Sequence, residues 1–223
     1  VVASRPEADT ELVGRCIRLV PLVPDDLHEL FGALGRAETF AGGYGGGPRP
    51  GADDRLSPDG FVEFMTHYLQ FHRGLVFGVR IRGGADDGTL IGTSTLGDLD
   101  ERRESAHIGW TAYDPRVWGT VVNPEAKLLM LGLAFDHGYG RVKLQADARN
   151  ARSRAAIERL GAVFEGIARR DAPRADGTWR DAAVYSVTVD EWPSVRRGLQ
   201  ERVEAWGDRD VEVTGRPPAT PVR

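Results

Sequence analysis

The chain has 223 residues, 41% hydrophobic and 28% charged, with 29 basic against 33 acidic side chains and a net charge of −4 at pH 7. That suits one globular domain and is short for two. Mild acidity argues against broad binding to nucleic acid or to an anionic membrane, and Cys16 as the sole cysteine excludes a disulfide framework, a zinc ribbon and a CxxC redox pair.

The five histidines (His28, His67, His72, His107 and His137) include no HxxxH or HExxH spacing, so no preformed metal site is expected. No apolar run reaches membrane-spanning length and no leader-type apolar segment opens the chain, so a cytoplasmic protein without membrane contact is expected. Lys127 and Lys143 are the only lysines; the other basic residues are arginines.

Residues 1–14 are polar and unpatterned and are expected to form a flexible tail, as are residues 207–223 with their three prolines. Between them, 15–206 reads as a single domain. Cys16–Leu22 is a strand pattern leading through Pro24-Asp25-Asp26 into a helix with Leu27, Leu30, Phe31 and Leu34 at helical spacing. Residues 39–57 carry six glycines and two prolines, a loop of the kind that is mobile or functional. Ser57-Pro58-Asp59 opens a second helix, predicted to run to about His72.

The period then changes to strands at 75–83, 89–99 and 105–113, an antiparallel meander. After Asp114-Pro115 comes a turn, Arg116 to Val122, and a strongly apolar helix for which Asn123 is a good N-cap with Pro124 at the first position. Residues 141–148 read as a buried strand. Asn150–Leu160 is a short helix closed by Gly161, two further strands flank the turn at 172–178, and Trp192-Pro193 starts a last helix. The fold class is therefore α/β (α+β), a mixed and mostly antiparallel sheet of about seven strands flanked by helices.

The turn at 116–122 is the most informative segment. A strand running into a helix start leaves the first helical N–H groups without backbone partners, and together with the helix dipole they favour a phosphate. Gly119 lets an anion approach the backbone. By itself this pattern is more often that of an ordinary turn.

The series HIGWT…DPRVWGTVVNPEAKLLMLGLAFDHGYGRVKLQADARNARSRAAIERLGAVFEG…DGTWRDAAVYSV resembles the GNAT superfamily of acyl-CoA-dependent N-acetyltransferases, in particular its RimJ/RimL-like branch, over about residues 15–200. The resemblance implies a sheet with a parallel, splayed strand pair that holds acetyl-CoA. It implies that Trp110 and Thr111 hold the pantetheine arm through their backbone, that Val117, Trp118, Gly119, Thr120, Val121, Val122 and Asn123 form the pyrophosphate cradle, and that Asn150 and Ser153 lie at the pantetheine and the thioester sulfur. Arg116 or Arg152 would add charge at the phosphates. Two positions depart from the family pattern: Val121 stands where a small residue is usual, and Ile157 where many members carry a tyrosine that protonates the thiolate.

Acetylating an amine calls for a base, and His107 stands where related sequences tend to carry Glu; an imidazole accepts a proton at neutral pH. Glu104 is the alternative, and Ser153 a further candidate for proton chemistry. Tyr44, Trp179 and Tyr185 are candidates for an acceptor pocket, and the cluster Asp98, Asp100, Glu101 and Glu104 for attracting a cationic amine. The expected partner is a small-molecule or peptide amine, and a homodimer is compatible with the sequence. The expected activity is direct acetyl transfer in a ternary complex; the alternatives are a non-catalytic ligand-binding protein and an acyl-CoA hydrolase or decarboxylase on the same scaffold.

Overall fold

The computed structural model describes residues 2–215. Alternation of apolar and polar residues along the early strands buries Ile17 and Leu19 of β2 (Ile17–Pro21) and Phe77, Val79 and Ile81 of β3 (Leu75–Ile81) on one face of a sheet. Val76 serves the opposite face. With β1 (Leu12–Val13), β4 (Leu90–Asp100), β5 (Ser105–Tyr113), β6 (Arg141–Asp147), β7 (Val163–Pro173) and β8 (Trp179–Thr188), the described residues form eight strands in the order β1-β2-β3-β4-β5-β6-β8-β7. That is one more than the seven or so expected. The additional strand is β1, within the segment expected to be a flexible tail: Leu12 and Val13 pair with Leu19 and Arg18, and Ala3 is buried.

Helices cover both faces. On one side α1 (Leu27–Leu34) packs on α3 (Pro58–Tyr68), with the five-residue α2 (Ala37–Ala41) following α1. On the other side α4 (Val122–Asp136) crosses the sheet beneath α6 (Trp192–Glu204), where Phe135 stacks on Trp192 at 5.2 Å between ring centroids. Because α4 is covered on most of its circumference, it is apolar nearly all round, and even Glu125 and Lys127 are buried. Glu125 accepts the N–H groups of Arg15 and Cys16 and so ties β2 to the start of α4.

The C-terminal segment is also held, as far as it is described. Val211 and Val213 are buried, and the carboxylate of Asp86 accepts the N–H groups of Val213 and Thr214 and the Thr214 hydroxyl. Residues 216–223, the rest of the expected C-terminal tail, lie outside the described residues.

All strand pairs are antiparallel except β5 with β6, and that parallel ladder is short. It pairs Ser105, Ala106 and His107 with Arg141, Val142 and Lys143, and then stops although both strands continue. The sheet therefore opens between β5 and β6 just beyond His107.

Candidate active site

A cavity of about 720 Å³ occupies that opening. One end is bounded by the turn before α4, the middle by β5, β6 and α5 (Ala151–Arg159), and the other end by the Gly-rich loop and the β7–β8 hairpin. Two distortions of β5 shape its wall. Thr95 and Thr93 of β4 face Gly109 and Ala112, so Trp110 and Thr111 form a bulge opposite Ser94, with Trp110 at φ +49°. Past His107, the edge of β5 that β6 would otherwise engage is free to meet a ligand.

At the end bounded by the turn before α4, only part of the expected donor set is kept. Val117, Trp118 and Thr120 already give their N–H groups to Asp114, Pro115 and Val117 carbonyls. The Val122 N–H leans on the Thr120 hydroxyl at 3.4 Å. Gly119, Val121 and Asn123 have N–H groups without an acceptor among the described residues. Gly119 lies at φ +76° with open space where a Cβ would stand, so only glycine keeps both the turn and the approach. Val121 needs no positive φ: it sits at φ −67° with its side chain in the core, and so keeps its N–H while departing from the small-residue pattern. Val121 and not Asn123 is the N-cap, because the apolar helix starts two residues earlier; Asn123 becomes its second residue and Pro124 its third, where the missing N–H still costs no helical bond.

Positive charge at this end comes from Arg152, which lies 3.5 Å over the Trp118 ring and lines the cavity together with Arg159 and Arg202. Arg116 is spent elsewhere, in a bidentate pair with the buried Asp114 and a bond to the Val213 carbonyl. Asn150 lines the cavity, yet both ends of its amide are engaged: its Oδ1 caps α5 by accepting the Ser153 N–H at 3.0 Å, and its Nδ2 donates to Gly42. It pins the Gly-rich loop to α5. Ser153 and Ile157 follow on the same helix face along the cavity.

The Gly-rich loop is built rather than loose. The wholly buried Arg55 guanidinium lies 4.1 Å over the Phe40 ring, pairs with Asp53 and donates to the carbonyls of Gly45 and Gly47. Ala175 of the β7–β8 hairpin donates to the Gly46 carbonyl, and Arg174 clamps Asp147 at the end of β6. Loop and hairpin thus roof the far end of the cavity, where Tyr44 and Tyr68 meet edge-to-face at 5.2 Å.

Tyr44 stands in the cavity wall, whereas Trp179 and Tyr185 do not. Trp179 is 43% exposed with the Arg170 guanidinium 4.4 Å over its ring. Tyr185 is fully buried beneath α5, its hydroxyl held between Arg154 and Glu158. Both lie on β8, whose pleat and position turn them away from the opening.

His107 is 3% exposed and lines the cavity at the point where the strands part. Its Nδ1 lies 3.0 Å from an Asp98 carboxylate oxygen, and its buried Nε2 has no hydrogen-bond partner among the described residues. Burial lowers the proton affinity of the ring below the ordinary histidine value, with Asp98 opposing. The hydrogen bond from His107 holds the Asp98 carboxyl down at about 2. Asp98 is thus ionised and His107 neutral at pH 7, with the proton on Nδ1 and a lone pair on Nε2. Glu104 is exposed in the turn before β5, outside the cavity, where its carbonyl accepts the N–H groups of Gly140 and Arg141.

Two residues of the site escaped the sequence reading. Asp98 stands in the sequence among the acidic residues of a turn, although a hairpin pairing Asp100 with Ser105 already directs it toward His107; the observed bulge sets the Cα partner at Gly97 and swings Asp98, at φ +48°, onto the ring. Lys127 lies within a strongly apolar helix. Its ammonium is buried in the cavity wall, donating to Thr111 Oγ1 at 2.9 Å and Ser94 Oγ at 3.2 Å, and burial without a carboxylate partner brings its pKa down to about 7. Its signal in the sequence is a lone lysine four residues after Asn123, on the helix face that carries the turn.

Residues 17–163 match the acetyltransferase (GNAT) domain family. The chain belongs to the GNAT acetyltransferase family. It is 35% identical over 108 residues to the Bacillus subtilis (strain 168) protein named "Putative ribosomal N-acetyltransferase YdaF", a match spanning 48% of this chain and 57% of that relative. It superposes on a GCN5-related N-acetyltransferase from Brucella melitensis with a TM-score of 0.76 at 26% identity, covering 89% of this chain and 87% of the other. Mycobacterium smegmatis RimJ, solved in complex with CoA-disulfide, shares the fold at a TM-score of 0.65 and 21% identity over 86% of this chain and 94% of that one. The fold of this GNAT protein is one that generally binds acetyl-CoA.

Proposed function

We propose that the protein transfers an acetyl group from acetyl-CoA to a primary amine, on a protein N terminus or a small molecule, by direct attack within a ternary complex. The observation that carries this reading is the buried and unpartnered Nε2 of His107 in the wall of a cavity that opens at the parting of β5 and β6.

The residues fit acetyl-CoA on their own chemistry. Three unused N–H groups at a helix N-terminus and an arginine stacked beside them suit a diphosphate. The free edge of β5 suits the amide-bearing pantetheine arm, and Ser153 and Ile157 line its path. When bound, acetyl-CoA supplies a thioester carbonyl open to attack and a thiolate leaving group.

Asp98 fixes the tautomer and orientation of His107, and Nε2 takes a proton from the acceptor nitrogen. Backbone N–H groups at the Trp110–Thr111 bulge suit the oxyanion that develops on the carbonyl. Ile157 has no proton to give, so Ser153 or solvent would supply the proton for a departing thiolate. Cys16, the sole cysteine, is buried on the strand side of α4 and its thiol proton is held more tightly than usual, which favours direct transfer over a covalent enzyme intermediate.

The test is to follow thiol release from acetyl-CoA with a panel of peptides and small amines; the name of the YdaF relative makes the N termini of ribosomal proteins the first peptides to try. Release that depends on one acceptor class and on His107 is expected. Saturable coenzyme A binding with no release on any amine would instead favour a ligand-binding protein, and no binding at all would remove the reading.

A further inference from the structure

The proposed reaction leaves the amine of Lys127, in the cavity wall, without a role. Its Nζ spends two of its positions on the hydroxyls of Ser94 and Thr111. Those hydroxyls lie 2.7 Å from each other, and that of Thr111 reaches the Gly109 carbonyl at 3.4 Å. A chain in which Ser94 donates to Thr111, and Thr111 to Gly109, leaves both oxygens to accept from the amine. The nitrogen then has one position not spent on protein. No carboxylate lies within ion-pair distance of it among the described residues. Its low proton affinity leaves a substantial neutral fraction at pH 7.

We propose that Lys127 is a self-acetylation site, accepting the acetyl group of a thioester bound in the same cavity. This rests on the acetyl-CoA reading above. The Nζ lone pair attacks the thioester carbonyl carbon, the new C–N bond forms as the C–S bond breaks, and the proton shed by nitrogen ends on the departing sulfur as a thiol. The product is a neutral amide behind the Trp110–Thr111 bulge. It removes the buried charge, adds bulk to the wall and breaks the Lys127 bonds to Ser94 and Thr111, so modification would hinder further cofactor binding.

The chain supplies its own control, because Lys143 is the only other lysine. Lys143 lies on the strand facing β5, is partly exposed and pairs with Asp98 at 3.5 Å. The purified full chain is incubated with acetyl-CoA and no acceptor, and the acetyl mass is located by peptide mapping, with coenzyme A binding measured by calorimetry on the same sample. The expected result is one acetyl group at Lys127, formed at least tenfold faster than at Lys143, slowed by excess coenzyme A, and without that preference in urea-unfolded protein. The K127R variant keeps the charge and loses the mark.

Saturable coenzyme A binding with Lys127 unmodified, or modified no faster than Lys143, overturns the proposal and leaves the transferase reading standing. Absence of coenzyme A binding overturns both.

Discussion

Replacing Lys127 with Met tests how much the folded state pays to hold an ammonium in the cavity wall. The unbranched thioether matches the lysine stem in reach, and Ser94 and Thr111 keep each other as partners. Burial moves the lysine from 10.5 down to about 7. The folded-state value lies below the unfolded one, so between about pH 7 and pH 10.5 the unfolded chain binds more protons and wild-type stability rises with pH. With about 1.4 kcal/mol for each tenfold change in proton affinity, the ammonium costs the folded state on the order of 3 to 5 kcal/mol at pH 7 and little near pH 10. K127M lacks this dependence. Urea unfolding of both proteins at about pH 7 and about pH 10 should therefore show the wild type gaining about 2 to 4 kcal/mol relative to K127M as pH rises. Cys16 and the other titrating groups are common to both proteins and cancel in the difference. A gap that stays constant with pH would mean that Lys127 keeps an ordinary proton affinity, and would refute the account of its burial.

The remaining predictions concern the site and its supports. His107→Gln should lower kcat roughly 10²- to 10³-fold with a small change in coenzyme A affinity, and equal kcat would remove His107 as the base. Since burial depresses its pKa, wild-type kcat should hold through neutral pH and fall only below the ordinary histidine range; Asp98→Asn, which removes the group opposing that depression, should move the fall to still lower pH while reducing kcat. Gly119→Ala places a side chain at φ +76° in the space left for an anion, and should weaken coenzyme A binding by about 1 to 3 kcal/mol in calorimetry while leaving the melting temperature within a few degrees. Asp86→Ala frees the N–H groups of Val213 and Thr214 and should destabilise the fold by about 1 to 3 kcal/mol in urea without changing kcat.

Periodicity and capping chemistry by themselves determined the order of elements and most of their bounds. The Pro-Asp-Asp start of α1, the Ser57 and Asn150 caps and the Gly161 stop are local signals, and each is found where the residues place it. The turn before α4 was legible as well, because Gly119 announces a left-handed backbone next to a helix start. Which of its N–H groups stay unused was decided only when the turn folded back on itself through Asp114, Pro115 and Val117. Tertiary structure alone moved Tyr185 beneath α5, left Trp179 on the surface and drew the N-terminal segment onto β2, since a pleat and a sheet edge have no local signature. It also made the Asp98–His107 pair and the buried Lys127. A sequence records that a carboxylate, an imidazole and an amine are present, but their proton affinities depend on the distance to a partner and on exclusion of water, and both are set by strands and helices far apart in the chain.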